Sequence, residues 1–410
     1  MPDATTEDLF ARIDGDREAL VGFVQELVRI PSPAGQEGAL AEALAARLRA
    51  IGLETRIDRA GNVIGTLAAA GGAPCLMFNS HLDQAPAGTM EDPFSGKIVD
   101  GAPWGVDGAV LWGRGVNGQK GALGAMVYAL KALHEVGVPL ARPVVITAAV
   151  LEEGAGHVGP RTLLHDDGIA TAYAVIGENT DLAVHNGHRG MVNMALEITG
   201  RSVHVTARQD GVNSLSKMAK AILAIDAAQG ELPSDPLFGP AMVTVNEITV
   251  LPNVSNTLPE RVQAVVDGRS IPGVSRDDLV AFVHRVLDPV AAADPDFHCT
   301  VTLDRKQLTS YTGVQLESDG CILPYFIEPD APLVQAAVAA VAEATGAPPP
   351  VRLWGCSTDG GYFAAEGIPT IGLAPGAARF SHTVDEHTPV EDIVRAAKAY
   401  AALAWRLCGA

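Results

Sequence analysis

The chain has 410 residues, 48% of them hydrophobic and 19% charged, with a formal net charge of −19. That length carries two or three domains with cores of their own, and the composition is that of an ordinary globular protein in water. The acidity argues against nucleic acid or an anionic membrane surface as partner. No apolar run is long enough to span a bilayer, and residues 1–8 lack the basic and apolar stretches of a signal peptide. Five cysteines, Cys75, Cys299, Cys321, Cys356 and Cys408, contain no Cys-x-x-Cys pair. They point to a reducing compartment, so a cytoplasmic location is expected.

Residues 6–29 place Leu9, Phe10, Ile13, Leu20, Phe23, Val24 and Leu27 at helical spacing, and Pro31-Ser32-Pro33 ends that helix. Residues 36–51 form a second amphipathic helix, closed by Gly52. Two short strands follow, 53–57 and 63–67, and then a buried strand over 75–80 with His81 at its C-terminal end. The glycine-dense stretch 111–121 is a turn that feeds a helix over 122–135. Residues 143–150 and 172–177 are further buried strands, ending in Glu152-Glu153 and in Glu178. Residues 191–199, 213–228, 241–250, 261–267, 275–287 and 297–303 alternate as βαββαβ, the ferredoxin-like order. After a helix over 331–345 and the spacer Pro348-Pro349-Pro350, a strand over 368–373 leads on to His382.

Buried strands alternating with helices imply an α/β fold with a mostly parallel sheet. The βαββαβ segment is then an inserted α+β domain, giving a catalytic domain from 1–190 and 310–410 around an insert at 191–309. In such sheets ligands bind beyond the carboxyl ends of the strands. Four strand ends here bring His81, Glu152-Glu153, Glu178 and His382 to that edge, a choice of residue types that suits a metal ion. Imidazole and carboxylate without thiolate suit zinc, with manganese and cobalt left open. Asp83 is placed to orient His81. Of two adjacent glutamates, one can bind metal while its neighbour acts as base on water.

At these residues the chain resembles the metallopeptidases that include aminoacylase, acetylornithine deacetylase, succinyl-diaminopimelate desuccinylase and carboxypeptidase G. The resemblance runs in order through His81-Leu82-Asp83, Gly113-Arg114-Gly115 with Lys120-Gly121, Glu152-Glu153-Gly154, Gly177-Glu178-Asn179-Thr180 and Gly187-His188-Arg189-Gly190. It continues through His204, Asn256-Thr257-Leu258-Pro259, Asp267-Gly268-Arg269 and Ser381-His382-Thr383 with Asp385-Glu386. It implies a catalytic domain with a ferredoxin-like lid that also makes a homodimer. It implies that His81 and Glu178 bind one metal ion and Glu153 and His382 another, with Glu152 as general base. His204 would stabilise the oxyanion, across the dimer, and Arg189, Asn256 and Arg269 would hold a substrate carboxylate or carbonyl. Of the remaining histidines, His157 and His188 stand nearest the motifs.

One position departs from the family. Where the glycine turn carries an aspartate that bridges the two metals, this chain has Gly118, flanked by Asn117 and Gln119. Without a bridge each ion keeps two protein ligands, so one tight ion is expected, with a second entering only with substrate. The leading expectation is a hydrolase of an amide-type C–N bond in a small carboxylate-bearing substrate. Two alternatives stay open: a specialised or non-hydrolytic reaction in the same pocket, and an inactive homologue that only binds its ligand.

Overall fold

The computed structural model of the chain describes residues 5–153 and 157–410. Its larger sheet has eight strands in the order Glu54–Ile57, Val63–Leu67, Val144–Ala149, Leu76–His81, Tyr173–Ile176, Thr370–Gly372, Val184–His185 and Val351–Arg352. The four in the middle, from Val144–Ala149 to Thr370–Gly372, are mutually parallel. Leu76–His81 and Val144–Ala149 are buried at every position, as strands covered on both faces must be. Alternate residues face opposite sides. Leu76, Phe78, Val144 and Ile146 join the core under the helices Gly121–Val136, Pro332–Thr345 and Val390–Cys408. Met77 and Ala174 join a second cluster with Trp354 and Phe363, and Val145 packs with Leu163. Both layers follow from the two-residue period of the strands. Because the central strands run the same way, their carboxyl ends open on one edge, and that edge positions the site.

Residues 191–303 build a separate antiparallel sheet, in the order Met242–Leu251, Arg261–Arg269, Met191–Thr199 and His298–Leu303. The helices Ser214–Ala227 and Arg276–Ala293 supply Met218, Ile225, Leu279 and Val283 to its own core. Asn213 and Ser275 cap these helices with their side chains. Met191–Thr199 alternates between buried and half-exposed residues, so the sheet has one covered face and one open face. The outgoing and returning chains run side by side, Gly187–His188 pairing antiparallel with Tyr325–Phe326.

Three local features differ from the sequence expectation. Residues 6–29 form two helices, Thr6–Gly15 and Arg17–Val28, broken at Asp16. The Asp16 carboxylate is held by Arg12 and Lys131, and its N–H closes the first helix on Arg12 and Ile13. The glycine turn is a π-type turn over Val116–Lys120, in which Lys120 N donates to Gly115 O at 3.0 Å. The last helix, Val390–Cys408, carries no sequence expectation at all, yet it packs on both Gly121–Val136 and Pro332–Thr345. Among the described residues no helix is long and apolar enough to cross a membrane.

Candidate metal centre

The open edge of the parallel strands gathers the residues that the sequence singles out. His81 is the last residue of its strand, and its Nε2 lies 2.6 Å from Glu178 Oε1. Glu178 stands two residues past the neighbouring strand Tyr173–Ile176. Glu153 Oε1 lies 3.1 Å from His382 Nε2. Ligand atoms bound to one zinc ion at roughly 2.0–2.1 Å stand about 3.3 Å apart in a tetrahedron, so Glu153 and His382 have close to that spacing, while His81 and Glu178 are in direct hydrogen-bond contact and need to part slightly to share an ion. Asp83 ties the group together. Its carboxylate accepts from Glu152 N at 3.0 Å and Glu153 N at 2.7 Å, and its Oδ1 lies 3.3 Å from His81 Nδ1. One buried side chain thus fixes the imidazole and the backbone of both glutamates. Leu151, His157 and His382 hold left-handed φ of 57°, 42° and 62°, a strained setting for residues with a side chain, and all three flank this centre.

Gly118 faces the same space. A Cβ built on it would stand 3.2 Å from Glu178 Oε2 and 3.5 Å from Oε1, so a side chain here would point straight at the His81–Glu178 pair. Its neighbours do not replace it. Asn117 Nδ2 donates to Ala377 O and Ser381 Oγ, both at 2.8 Å, and Gln119 Nε2 donates to Asp83 O at 2.6 Å. The turn itself is pinned by Glu386, which pairs with the buried Arg114 and accepts from Gly115 N at 2.7 Å. His81, Gly118, Glu153, Glu178 and His382 line one small cavity of about 20 Å³, room for about one water-sized occupant.

The residues expected to touch substrate lie elsewhere. His204 is exposed and its Nδ1 lies 2.8 Å from Thr206 Oγ1, within its own loop. Asn256 stands beside it, its carbonyl accepting from Val205 N at 3.0 Å. The Arg189 guanidinium is turned onto the carbonyls of Phe238 and Pro240 in the inserted unit. Arg269 pairs with Asp267 through Nε and Nη2, both at 2.8 Å. The Glu152-Glu153-Gly154 motif is described only as far as Glu153, since Gly154 lies outside the described residues.

The sequence did not reveal what stands behind Glu152. Its Oε1 lies 3.3 Å from His157 Nδ1, which lies 2.9 Å from Asp359 Oδ1. One ligating atom of each of these three buried residues lies within 4.8 Å of the others. His157 was signalled only by its nearness to the glutamates, and Asp359 by nothing, being 202 positions further on. Burial lifts the Glu152 carboxyl to about 8. Burial alone would lower the His157 imidazole, but Glu152 and Asp359 overcome it and hold it at about 9. The hydrogen bond to Glu153 raises His382; burial alone would raise Glu153, but the bond to His382 and the charges of His81, His382 and His157 together lower it.

The model of peptidase family M20/M25/M40 matches residues 77–406. The uncharacterized protein YgeY of Escherichia coli K12 is 27% identical over 389 residues, covering 93% of this chain and 92% of that protein. Succinyl-diaminopimelate desuccinylase of Maricaulis maris is 26% identical over 388 residues, covering 90% and 91%. In fold, the chain is similar to the Bacillus subtilis YXEP protein, a dinuclear metal binding peptidase. The TM-score is 0.69 at 15% identity, with 95% of this chain and 98% of that one covered.

Proposed function

Since the chain belongs to peptidase family M20/M25/M40, a family of metal-dependent hydrolases that act on C–N bonds, we propose that it cleaves an amide-type bond in a small substrate bearing a carboxylate. The observation that carries this reading is the pairing of His81 with Glu178 and of Glu153 with His382 at the carboxyl ends of parallel strands. Nitrogen and oxygen donors at that spacing suit zinc, and also manganese or cobalt. When bound, the metal supplies Lewis acidity to a water and to the scissile carbonyl. Glu152, buried and beside the pairs, takes the proton of the attacking water and later returns it to the leaving amine. Asp83 keeps His81 and the two glutamates in register throughout.

The inserted unit at 191–309 acts as a lid in this reading. His204 and Asn256 sit side by side on it and reach the carbonyl oxygen only when it closes. Arg269, or Arg189 once released from the carbonyls it now holds, would receive the substrate carboxylate. The same unit would join two copies in a homodimer, and the cytoplasm suits the free cysteines.

Gly118 favours a variant of this reading, in which the resting protein holds one ion tightly and the second arrives with substrate. Metal content by mass spectrometry, followed by hydrolysis assays on N-acetyl, N-formyl and N-succinyl amino acids and dipeptides, tests it. Protein purified without chelator should carry metal and release amine from at least one of these. Near-zero metal, with no turnover after adding zinc, manganese or cobalt, would make the chain a binding protein instead.

A further inference from the structure

One run of buried polar groups is left over once the metal pairs, Asp83 and the glycine turn are accounted for. It begins at Thr147 Oγ1, which donates to Asn79 Oδ1 at 2.8 Å across two adjacent strands. Asn79 Nδ2 donates to Asp359 Oδ2 at 3.3 Å. Asp359 Oδ1 takes His157 Nδ1 at 2.9 Å, and the same nitrogen lies 3.3 Å from Glu152 Oε1. At the far end Glu152 Oε2 lies 3.9 Å from His81 Nε2. We propose that His157 and Asp359 are positioning residues that anchor Glu152 by Oε1 and leave Oε2 as the oxygen that handles the proton. The inference rests on Glu152 being the general base.

The geometry supports it atom by atom. An ionised Asp359 can only accept, so His157 Nδ1 donates to it, and the imidazole fixed in this way lies against Glu152 Oε1 as an ion-pair contact at 3.3 Å. Oε1 is therefore held from behind, while Oε2 faces the histidine of a metal pair. The aspartate is itself fixed on two sides. Asn79 holds its second oxygen, and the loop before it is tied down by Thr358 N donating to His188 Nε2 at 3.2 Å and Ser357 Oγ donating to Arg189 O at 2.8 Å. His188 can accept there because its Nδ1 donates to Arg189 O at 2.8 Å. The loop is thus fastened to the point where the chain leaves for the inserted unit. Two carboxylates and an imidazole buried together are a costly way to fill a core; an apolar trio of the same volume would fold at least as well. Their retention makes sense where the direction of one carboxylate matters, because general-base catalysis needs its proton acceptor within hydrogen-bond reach of the water. The left-handed φ of 42° at His157 is a strain that the same contacts hold in place.

The test uses the full chain loaded with zinc and the best substrate found among the N-acyl amino acids. His157→Ala should lower kcat by about 10- to 100-fold, a share of what general bases usually contribute. KM and zinc content should stay as in the parent. His157→Gln keeps an N–H that can reach Glu152, so it should recover part of the loss, and Asp359→Asn should fall between the two. In a Glu152→Gln background His157→Ala should cost little more, since positioning has nothing left to position. Equal losses in both backgrounds, or a loss of zinc with the loss of kcat, would overturn the proposal. If none of the acyl amino acids is turned over, the base assignment is what fails. The positioning claim is then read from crystal structures of the zinc-loaded parent and His157→Ala. Glu152 turned away from its place supports it, and an unmoved Glu152 overturns it.

Discussion

Gly118→Asp is the substitution that bears most directly on the metal centre. The backbone accepts a side chain there, since Gly118 is not among the glycines with positive φ. The new Cβ would stand 3.2 Å from Glu178 Oε2, a few tenths of an ångström tighter than ordinary contact, so Glu178 must yield slightly. The carboxylate beyond that Cβ would face Glu178 at short range. Two like charges about 4 Å apart repel by about 4 kcal/mol in surroundings with an effective dielectric constant of about 20. Without metal this is a penalty, relieved in part by protonation, and the variant should melt several degrees below the parent. With metal the sign reverses, because the same carboxylate neutralises an ion instead of opposing a glutamate. At about 1.4 kcal/mol per decade, the tighter binding should amount to between one and three decades, with the stoichiometry moving from one ion toward two. Calorimetric titration with zinc and thermal melts with and without metal measure both. Parent protein that already binds two ions with similar high affinity, or a variant unchanged in melting and in affinity, would refute the reasoning.

Further outcomes follow from single residues. Glu152→Gln should keep its metal and lose roughly 10²-fold or more in turnover; loss of metal in step with activity would place Glu152 among the ligands. Scattering profiles with and without a substrate analogue should differ as the inserted unit closes, and His204→Ala should lose activity; identical profiles with a fully active variant would remove the unit from the mechanism. Burial lowers the pKa of Lys120 from 10.5 to about 7, its ammonium donating to Ile30 O and Gln84 Oε1. Between those two values the unfolded chain binds more protons than the folded one, so stability should climb as pH rises from about 7, with the cost fully present below it. Lys120→Met should flatten that climb in denaturant melts run from pH 6 to 9, and parallel curves for the two proteins would refute it.

Much of the metal edge is legible in the sequence because it depends on chain direction alone. The stretch 76–81 opens on the apolar run Leu76-Met77-Phe78 and reads as a short buried strand, and a residue at its end lies at the sheet edge. Four such runs separated by helices are parallel, so the residues that follow them share one edge. The βαββαβ order is legible as well, helped by the clean alternation of two of its strands, Met191–Thr199 and Arg261–Arg269. Contacts between distant segments are not legible. Asp359 meets His157 only because the helix Gly360–Ala365 packs on Thr370–Gly372 and Tyr173–Ile176, and no spacing reports that packing. The break at Asp16 was hidden for another reason. Helical spacing continues across it, and only the pull of Lys131 from a different helix shows why the chain pauses there.

The gap at Gly118 is a held shape and not a collapsed one. Arg114 and Glu386 fix the turn from below, Asn117 fixes it to Ala377 and Ser381, and Gln119 fixes it to Asp83. Each of these contacts uses a polar group whose loss in the interior would be expensive. Glu178 does not swing into the space either, because His81 and Asn179 engage its two oxygens. Two histidine–carboxylate pairs therefore confront a space that none of the described residues fills. Two dications placed on those pairs would face each other with no carboxylate between them, and repulsion between double charges is fourfold that between single ones at equal distance. A carboxylate brought by the substrate can supply the missing negative charge, which ties the second ion to substrate binding on the proposed reading. The absent side chain then becomes a condition on the substrate: it must carry an anion close to the bond that is cut.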